Sequence, residues 1–307
     1  MLGVCRHVVD NPLRTSLIRL CHVHTLPATV GRMTDARATV DHSAADRLLD
    51  QWRSDLASWA IPAEILAQAP QDPWIHPVSM FTVDDEIPDS HSHRIAREAV
   101  PEGGSVLDVG SGGGRASMAL VPPAATLVAV DHQRGMLDAF AEAAVRRGVR
   151  SQEHLGDWPS VADEVPECDV VVCHHVAYNV SDLGPFLVSL DSHARTRVVL
   201  EVPAQHPLSN MSPLWKQFWD LDRPTRPAAQ DVAAIAGALG FDAHLDLWQD
   251  ETWGQRVTLP DDERVRFARI RLCLTEDRDA EVAAALIAQS DARPREVATI
   301  WWDVRRP

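Results

Sequence analysis

The chain has 307 residues, 45% hydrophobic and 24% charged, with a net charge of −15. That mix is globular and excludes a mainly disordered chain. No run of apolar residues reaches the ~18 needed to span a bilayer, and the acidic balance argues against a general nucleic-acid binder. Lys216 is the single lysine, and the other basic charges are arginines. Cysteines stand at 5, 21, 168, 173 and 273, an odd number without CxxC spacing. Neither a disulfide framework nor a zinc ribbon is expected, and a reduced cytoplasmic setting is the simplest reading.

In chain order, residues 1–32 carry four arginines and only a weak apolar run. They are expected to be a disordered extension or an overcalled start, with Met33 opening a more ordinary beginning. Residues 33–89 read as a helical N-terminal cover. Leu48, Leu49, Trp52, Leu56 and Trp59 recur at helical spacing, with Asp41 or Ser43 available as N-cap, and Pro62 opens a second short helix. Pro70, Pro73, Pro77 and Pro88 make the following stretch a linker or covering loop, before a helix over 90–100.

From residue 105 short apolar runs alternate with amphipathic segments. SVLDVG, TLVAV, SQEHL, DVVVC and RVVLEV are separated by helical patterns at 115–121, 134–147 and 182–192. Such alternation predicts βαβ units and a doubly wound α/β fold with a mostly parallel sheet. Residues 203–228 interrupt it with five prolines and the one-faced set Trp215, Phe218, Trp219. That insertion reads either as a lid over an apolar acceptor or as a helix packed on the core or on a second copy in a homodimer. A helix at 229–239, a strand at FDAHLDLW, helices within 261–289 and a last antiparallel strand at VATIWWDV complete a domain over 90–307.

The strongest local signal is Val106-Leu107-Asp108-Val109-Gly110-Ser111-Gly112-Gly113-Gly114, a buried strand entering a glycine-rich turn. A dinucleotide loop would need a third glycine at 115 or 117, where Arg115 and Ser117 stand; no GK[ST] follows either. Asp131, at the tip of the next strand, can accept both hydroxyls of a ribose. Two carboxylates near strand ends also suit a cationic ligand.

Together with Met136, Gly156-Asp157-Trp158 and CDVVVCHHVAYNVSD, these residues resemble the ordered motifs of class I S-adenosylmethionine-dependent methyltransferases. The likeness is to the small-molecule, quinone-biosynthesis-like branch and covers about 90–202. It implies a seven-stranded Rossmann-like sheet and S-adenosylmethionine as cofactor. Asp108 would hold the loop or, through water, the cofactor's amino group, and Gly110, Ser111, Gly112 and Gly114 would floor the methionine part. Asp131 would take the ribose, His132 and Met136 would lie beside the adenine, and Gly156 would lead to Asp157 and Trp158 at the adenine amino group and ring. His174 would line the donor pocket.

On the acceptor side, His174, His175 and Tyr178 are the catalytic candidates, with Glu201 and His206 behind them. Strand alternation puts His174 and His175 on opposite faces, while His91 and His93 read as surface or lid residues. No metal site is expected, since adjacent ligands on a strand diverge. The implied reaction is methyl transfer to a small molecule. The alternatives are an RNA or protein methyltransferase, or a non-catalytic S-adenosylmethionine-binding protein. CHHVAYN stands where amino-methylating DNA enzymes carry [DN]PP[YF].

Overall fold

The computed structural model describes residues 42–73, 89–251, 261–289 and 295–306. The expectations for 1–32, for an N-cap at Asp41 and for most of the linker before Pro88 lie outside the described residues.

The five parallel strands are β1 (Ser105–Val109), β2 (Thr126–Asp131), β3 (Arg150–Leu155), β4 (Cys168–His174) and β5 (Ala194–Pro203). With β6 (His244–Asp250) and β7 (Arg295–Asp303) they form a seven-stranded sheet in the order β3-β2-β1-β4-β5-β7-β6. β7 runs antiparallel between β5 and β6. The chain order reverses at β1 and β4, and in such sheets the crevice beyond the carboxyl ends of those strands takes the ligand.

The central strands β1, β2, β4 and β5 read as largely apolar runs because both their faces are covered, whereas β3 and β6 at the edges are polar and partly exposed. Leu107, Val128, Val130, Val171, Cys173 and Val198 enter one buried cluster, and the alternate residues Val106, Leu127, Ala129, Val170, Val172 and Val199 enter another. The second face is closed by α3 (His91–Ala99), α4 (Arg115–Met118) and α5 (Arg134–Arg147), which supply Ala96, Met118, Leu137 and Phe140. The first is closed by α6 (Leu183–His193) and α8 (Ala229–Ala238), with Phe186, Leu187, Val232 and Ile235.

The N-terminal cover consists of α1 (His42–Ala57) and α2 (Ala63–Leu66). Trp52 of α1 is almost fully buried in the α6/α8-side cluster, and its indole N–H donates to the Val180 carbonyl at 2.8 Å. Trp59 stacks on His206 with centroids 4.0 Å apart and donates to the Arg226 carbonyl at 2.6 Å, while Arg223 donates to the carbonyls of Trp59 and Ala60. The cover is thus pinned to the 203–228 insertion.

His206 carries a pH consequence. Burial, then the charges of Arg223 and Arg295, lower its pKa from 6.5 to about 4. Between those values the unfolded chain takes up a proton that the folded chain refuses. Stability is therefore full above about 6.5 and is lost as pH falls toward about 4, by about 3 kcal/mol at the lower limit. Melting temperature measured from pH 7.5 to 4.5 is expected to fall more steeply for the wild-type chain than for His206→Phe; equal slopes would contradict this.

The insertion does not stand over the sheet as an open lid. Its helix α7 (Ser212–Trp219) buries Leu214 and Trp215 in a third cluster with Leu272, Cys273, Leu274 and Val282. Those residues lie on and between α9 (Asp261–Arg271) and α10 (Asp279–Ala288). Trp219 donates to the Leu272 carbonyl at 2.7 Å. Of the aromatic face read as an acceptor cap or as packing on the core or a second copy, Trp215 is buried in this cluster and Phe218 and Trp219 are half-buried against it. Trp219→Ala is expected to cost about 2–3 kcal/mol, because a large, partly buried ring is removed and one carbonyl loses its donor. Urea unfolding checks this, and a change below 0.5 kcal/mol would sink it.

Candidate active site

The glycine turn leaves β1 at the sheet's carboxyl edge. Gly110, Gly112 and Gly114 all have positive φ, at 69°, 51° and 92°. Two of these positions also exclude a side chain for lack of room. A Cβ on Gly110 would lie 2.3 Å from Val176 Cγ2, and one on Gly114 would lie 2.8 Å from Phe140 Cδ2. The first contact matters most, because it seats the loop after β4 directly on the turn after β1.

The turn is tied to β2 by backbone donors. Gly110 and Ser111 donate to the Val130 carbonyl at 2.8 and 3.1 Å, and Gly112 N–H donates to Asp131 Oδ2 at 2.9 Å. Asp131 is 7% exposed, and its other oxygen accepts from Gln133 N–H at 2.9 Å. His132 is exposed, with Nδ1 3.6 Å from Asp131 Oδ1, while Met136 is buried on the first turn of α5.

Gly156 N–H donates to the Asp131 backbone carbonyl at 3.0 Å, which brings the residues after β3 beside this carboxylate. Asp157 is exposed there. Trp158 turns its ring onto the edge of His193, centroids 4.8 Å apart, and its buried indole nitrogen has no acceptor among the described residues.

Asp108 faces inward. Its Oδ2 accepts from Ser117 Oγ at 2.6 Å and from Ser117 N–H at 3.2 Å, fastening α4 beneath the turn. Burial pushes its pKa up to about 7, with Asp131 adding to the rise and the Ser117 bonds opposing it. The residue holds the loop, which is one of the two roles expected of it.

At the ends of β4 and β5 the structure assembles a group that alternation does not describe. β4 ends at His174, and His175 takes φ 62°, a left-handed conformation that costs a non-glycine residue of the order of 1–3 kcal/mol. Its N–H donates to the Glu201 carbonyl at 2.6 Å and its Nε2 lies 3.1 Å from Glu201 Oε1. His174 pairs with Glu201 in the strand register and stacks on His93 at 5.4 Å. The expectation that the two histidines diverge to opposite faces is therefore corrected. The twist at His175 lies outside the strand, and both rings act on one carboxylate.

Burial alone would raise the pKa of Glu201. The charge of His174, the hydrogen bond and charge of His175 and the charge of His93 outweigh it and hold the carboxyl well below its usual range. His93 is likewise corrected from surface to core: it is 2% exposed and completes a capping box with Ser90 at the start of α3.

Tyr178 is not placed for chemistry. It is buried against Trp52, its hydroxyl donates to the Pro203 carbonyl at 2.9 Å, and burial raises its pKa further. His206 is spent on Trp59, as described above.

Three comparisons bear on this arrangement. Residues 106–194 match the family model described as a methyltransferase domain. A ubiquinone biosynthesis O-methyltransferase of Azorhizobium caulinodans is 33% identical over 157 residues, which is 51% of this chain and 58% of that one. An uncharacterized protein of Haemophilus influenzae is 33% identical over 100 residues, 31% of this chain and 36% of that one. The chain thus spans only 36% to 58% of the length of these relatives. A SAM-dependent methyltransferase from Thiobacillus denitrificans, solved in complex with S-adenosyl-L-homocysteine, shares the fold. Its TM-score is 0.51 at 16% identity, covering 76% of this chain and 100% of that one.

Residues 106–194 match a methyltransferase domain.

The residues around the glycine turn fit S-adenosylmethionine, the cofactor that the sequence resemblance implies. The turn is open to close backbone approach. A carboxylate stands at the tip of β2 with a second, Asp157, beside it, and the buried Trp158 donor has no partner within the described residues. Ser90 and the inward place of His93 were not read from the sequence. The signal was there: Ser90-x-x-His93 before a helical segment is a capping pattern.

Proposed function

We propose that this chain transfers a methyl group from S-adenosylmethionine to a small-molecule acceptor. The observation that carries the reading is the bond from Gly112 N–H to Asp131, which joins the glycine turn to the acid of β2 beside the β1/β4 reversal. S-Adenosylmethionine supplies an already activated methyl group, so the protein's work is alignment and, for some acceptors, removal of a proton.

Asp131 takes the ribose hydroxyls as a charge-assisted acceptor, and the turn from Gly110 to Gly114, with Ser111, floors the amino-acid part. Met136, His132, Gly156, Asp157 and Trp158 surround the base. The acceptor lies over the ends of β1, β4 and β5, against His174 and His175. A small acceptor is supported by the identity to the ubiquinone O-methyltransferase and by the acidic charge, which disfavours polyanions. No helix among the described residues is long and apolar enough to cross a membrane. A cytoplasmic setting belongs to the same proposal and rests on the number and spacing of the cysteines.

The test is a labelled-methyl assay on a cell extract separated into small-molecule, RNA and protein pools. Label in the small-molecule pool is the expected result. Label confined to RNA or protein, or donor binding without transfer to any pool, would replace this reading with its alternatives.

A further inference from the structure

Glu201 uses both its oxygens within the fold. Oε1 lies 3.1 Å from Nε2 of His175, and Oε2 accepts from Ser90 Oγ at 2.9 Å. Glu201 and Ser90 are both buried, whereas the side chain of His175 is 33% exposed. The polar chain therefore runs outward from α3 through β5 to one partly open imidazole. The backbone of His175 is fixed by the same residue, through its 2.6 Å bond to the Glu201 carbonyl.

The next residue, Val176, packs on the glycine turn at Gly110. A strained histidine, held twice by one buried residue, at its backbone carbonyl and at its carboxylate, thus stands one residue from the contact with the glycine turn. His174 does not compete for this place, since its ring stacks on His93 and its Nε2 is buried.

We infer that His175 is the base of the reaction, that Glu201 and Ser90 are its positioning residues, and that the acceptor atom is a hydroxyl oxygen; this rests on the methyl-transfer reading above. With Nε2–H turned to Glu201, the ring's acceptor nitrogen is Nδ1. A neutral amine attacks with its lone pair before any proton need leave, and a thiol is already partly ionised near neutral pH. A hydroxyl of phenolic type, with a pKa near 10, is the acceptor that needs such a base.

The step balances. As the oxygen–carbon bond to the methyl group forms, the carbon–sulfur bond breaks and its pair stays on sulfur. The hydroxyl proton passes to Nδ1 of His175, giving an imidazolium paired with Glu201, and is then released to water.

The groups facing Glu201 are His175 and His174 at the end of β4 and His93 and Ser90 from α3; its register neighbour on β7 is the uncharged Thr299. Glu201→Gln removes the carboxylate that holds the ring's Nε2–H, so it tests the positioning of Nδ1.

The experiment uses the full chain, methyl-¹³C S-adenosylmethionine and the small-molecule extract, with carbon NMR separating O-, N-, S- and C-methyl products. O-methyl label is expected, with a fall of at least about 100-fold for His175→Asn and about 10–100-fold for Glu201→Gln. Ser90→Ala, which removes the bond to Glu201 and the cap on His93 N–H, is expected to fold, at a cost of the order of one helix cap, and to lose a few-fold in rate. Nitrogen NMR of the imidazoles, without donor or turnover, is expected to show His175 as the Nε2–H tautomer and a mixed tautomer in Glu201→Gln. Label on N, S or C, an unchanged tautomer in Glu201→Gln, or an Nδ1–H tautomer in the wild type would overturn the proposal while donor binding stands. A chain that does not bind S-adenosylmethionine, or binds it and transfers nothing, would overturn the methyl-transfer reading itself.

Discussion

Gly110→Ala is expected to destabilise the fold by about 2–5 kcal/mol, through two separable terms. The first is backbone: φ at this position is 69°, a left-handed conformation that costs an L side chain about 1–2 kcal/mol. The second is space. The added Cβ would meet Val176 Cγ2 at 2.3 Å, and a short β-branched side chain has little freedom to withdraw, so overpacking adds about 1–3 kcal/mol. In a domain of this size the sum lowers Tm by something on the order of 10 °C. Val176→Gly in the same chain is expected to recover the steric part and leave the backbone part. A Tm for Gly110→Ala within 2 °C of wild type would show that the turn and the β4 loop are not in contact.

Asp131→Ala carries the largest expected effect on binding, a loss of about 100-fold in S-adenosylmethionine affinity, or ~2.7 kcal/mol. Two oxygens that now accept Gly112 N–H and Gln133 N–H vanish together, so the turn loses its tie to β2 as the ribose loses its partner. Asp131→Asn keeps the shape and one acceptor oxygen but drops the charge. Its loss is expected near 10-fold, the difference measuring what the ionised carboxylate adds toward the hydroxyls and the cationic donor. Either variant also removes the charge that helps raise Asp108, whose pKa is expected to move down from about 7. Calorimetric affinities within two-fold of wild type would remove Asp131 from the donor site.

Much of this was legible in the residues. The glycine turn, Asp131 and the apolar strand runs are local signals, and the two apolar faces of β1, β2, β4 and β5 already implied cover on both sides. What the sequence could not show depends on distant residues meeting. Glu201 becomes the centre of the acceptor side because β5 lies against β4 and Ser90 comes in from α3. His175 escapes the period-two rule because it sits beyond the strand at positive φ, which nothing in CHHVAYN announces. Tyr178, His206 and the Trp215–Trp219 face carry side chains typical of sites. Their partners, the Pro203 carbonyl, Trp59 and the Leu272–Leu274 segment, are far along the chain and engage them in packing.

The most direct test of the central claim is a calorimetric titration of the full chain with S-adenosylhomocysteine, run in competition with a nicotinamide dinucleotide. The account predicts one site per chain of roughly micromolar affinity, lost in Asp131→Ala and untouched by the dinucleotide. No binding of S-adenosylhomocysteine, or displacement of it by the dinucleotide from the same site, would contradict it.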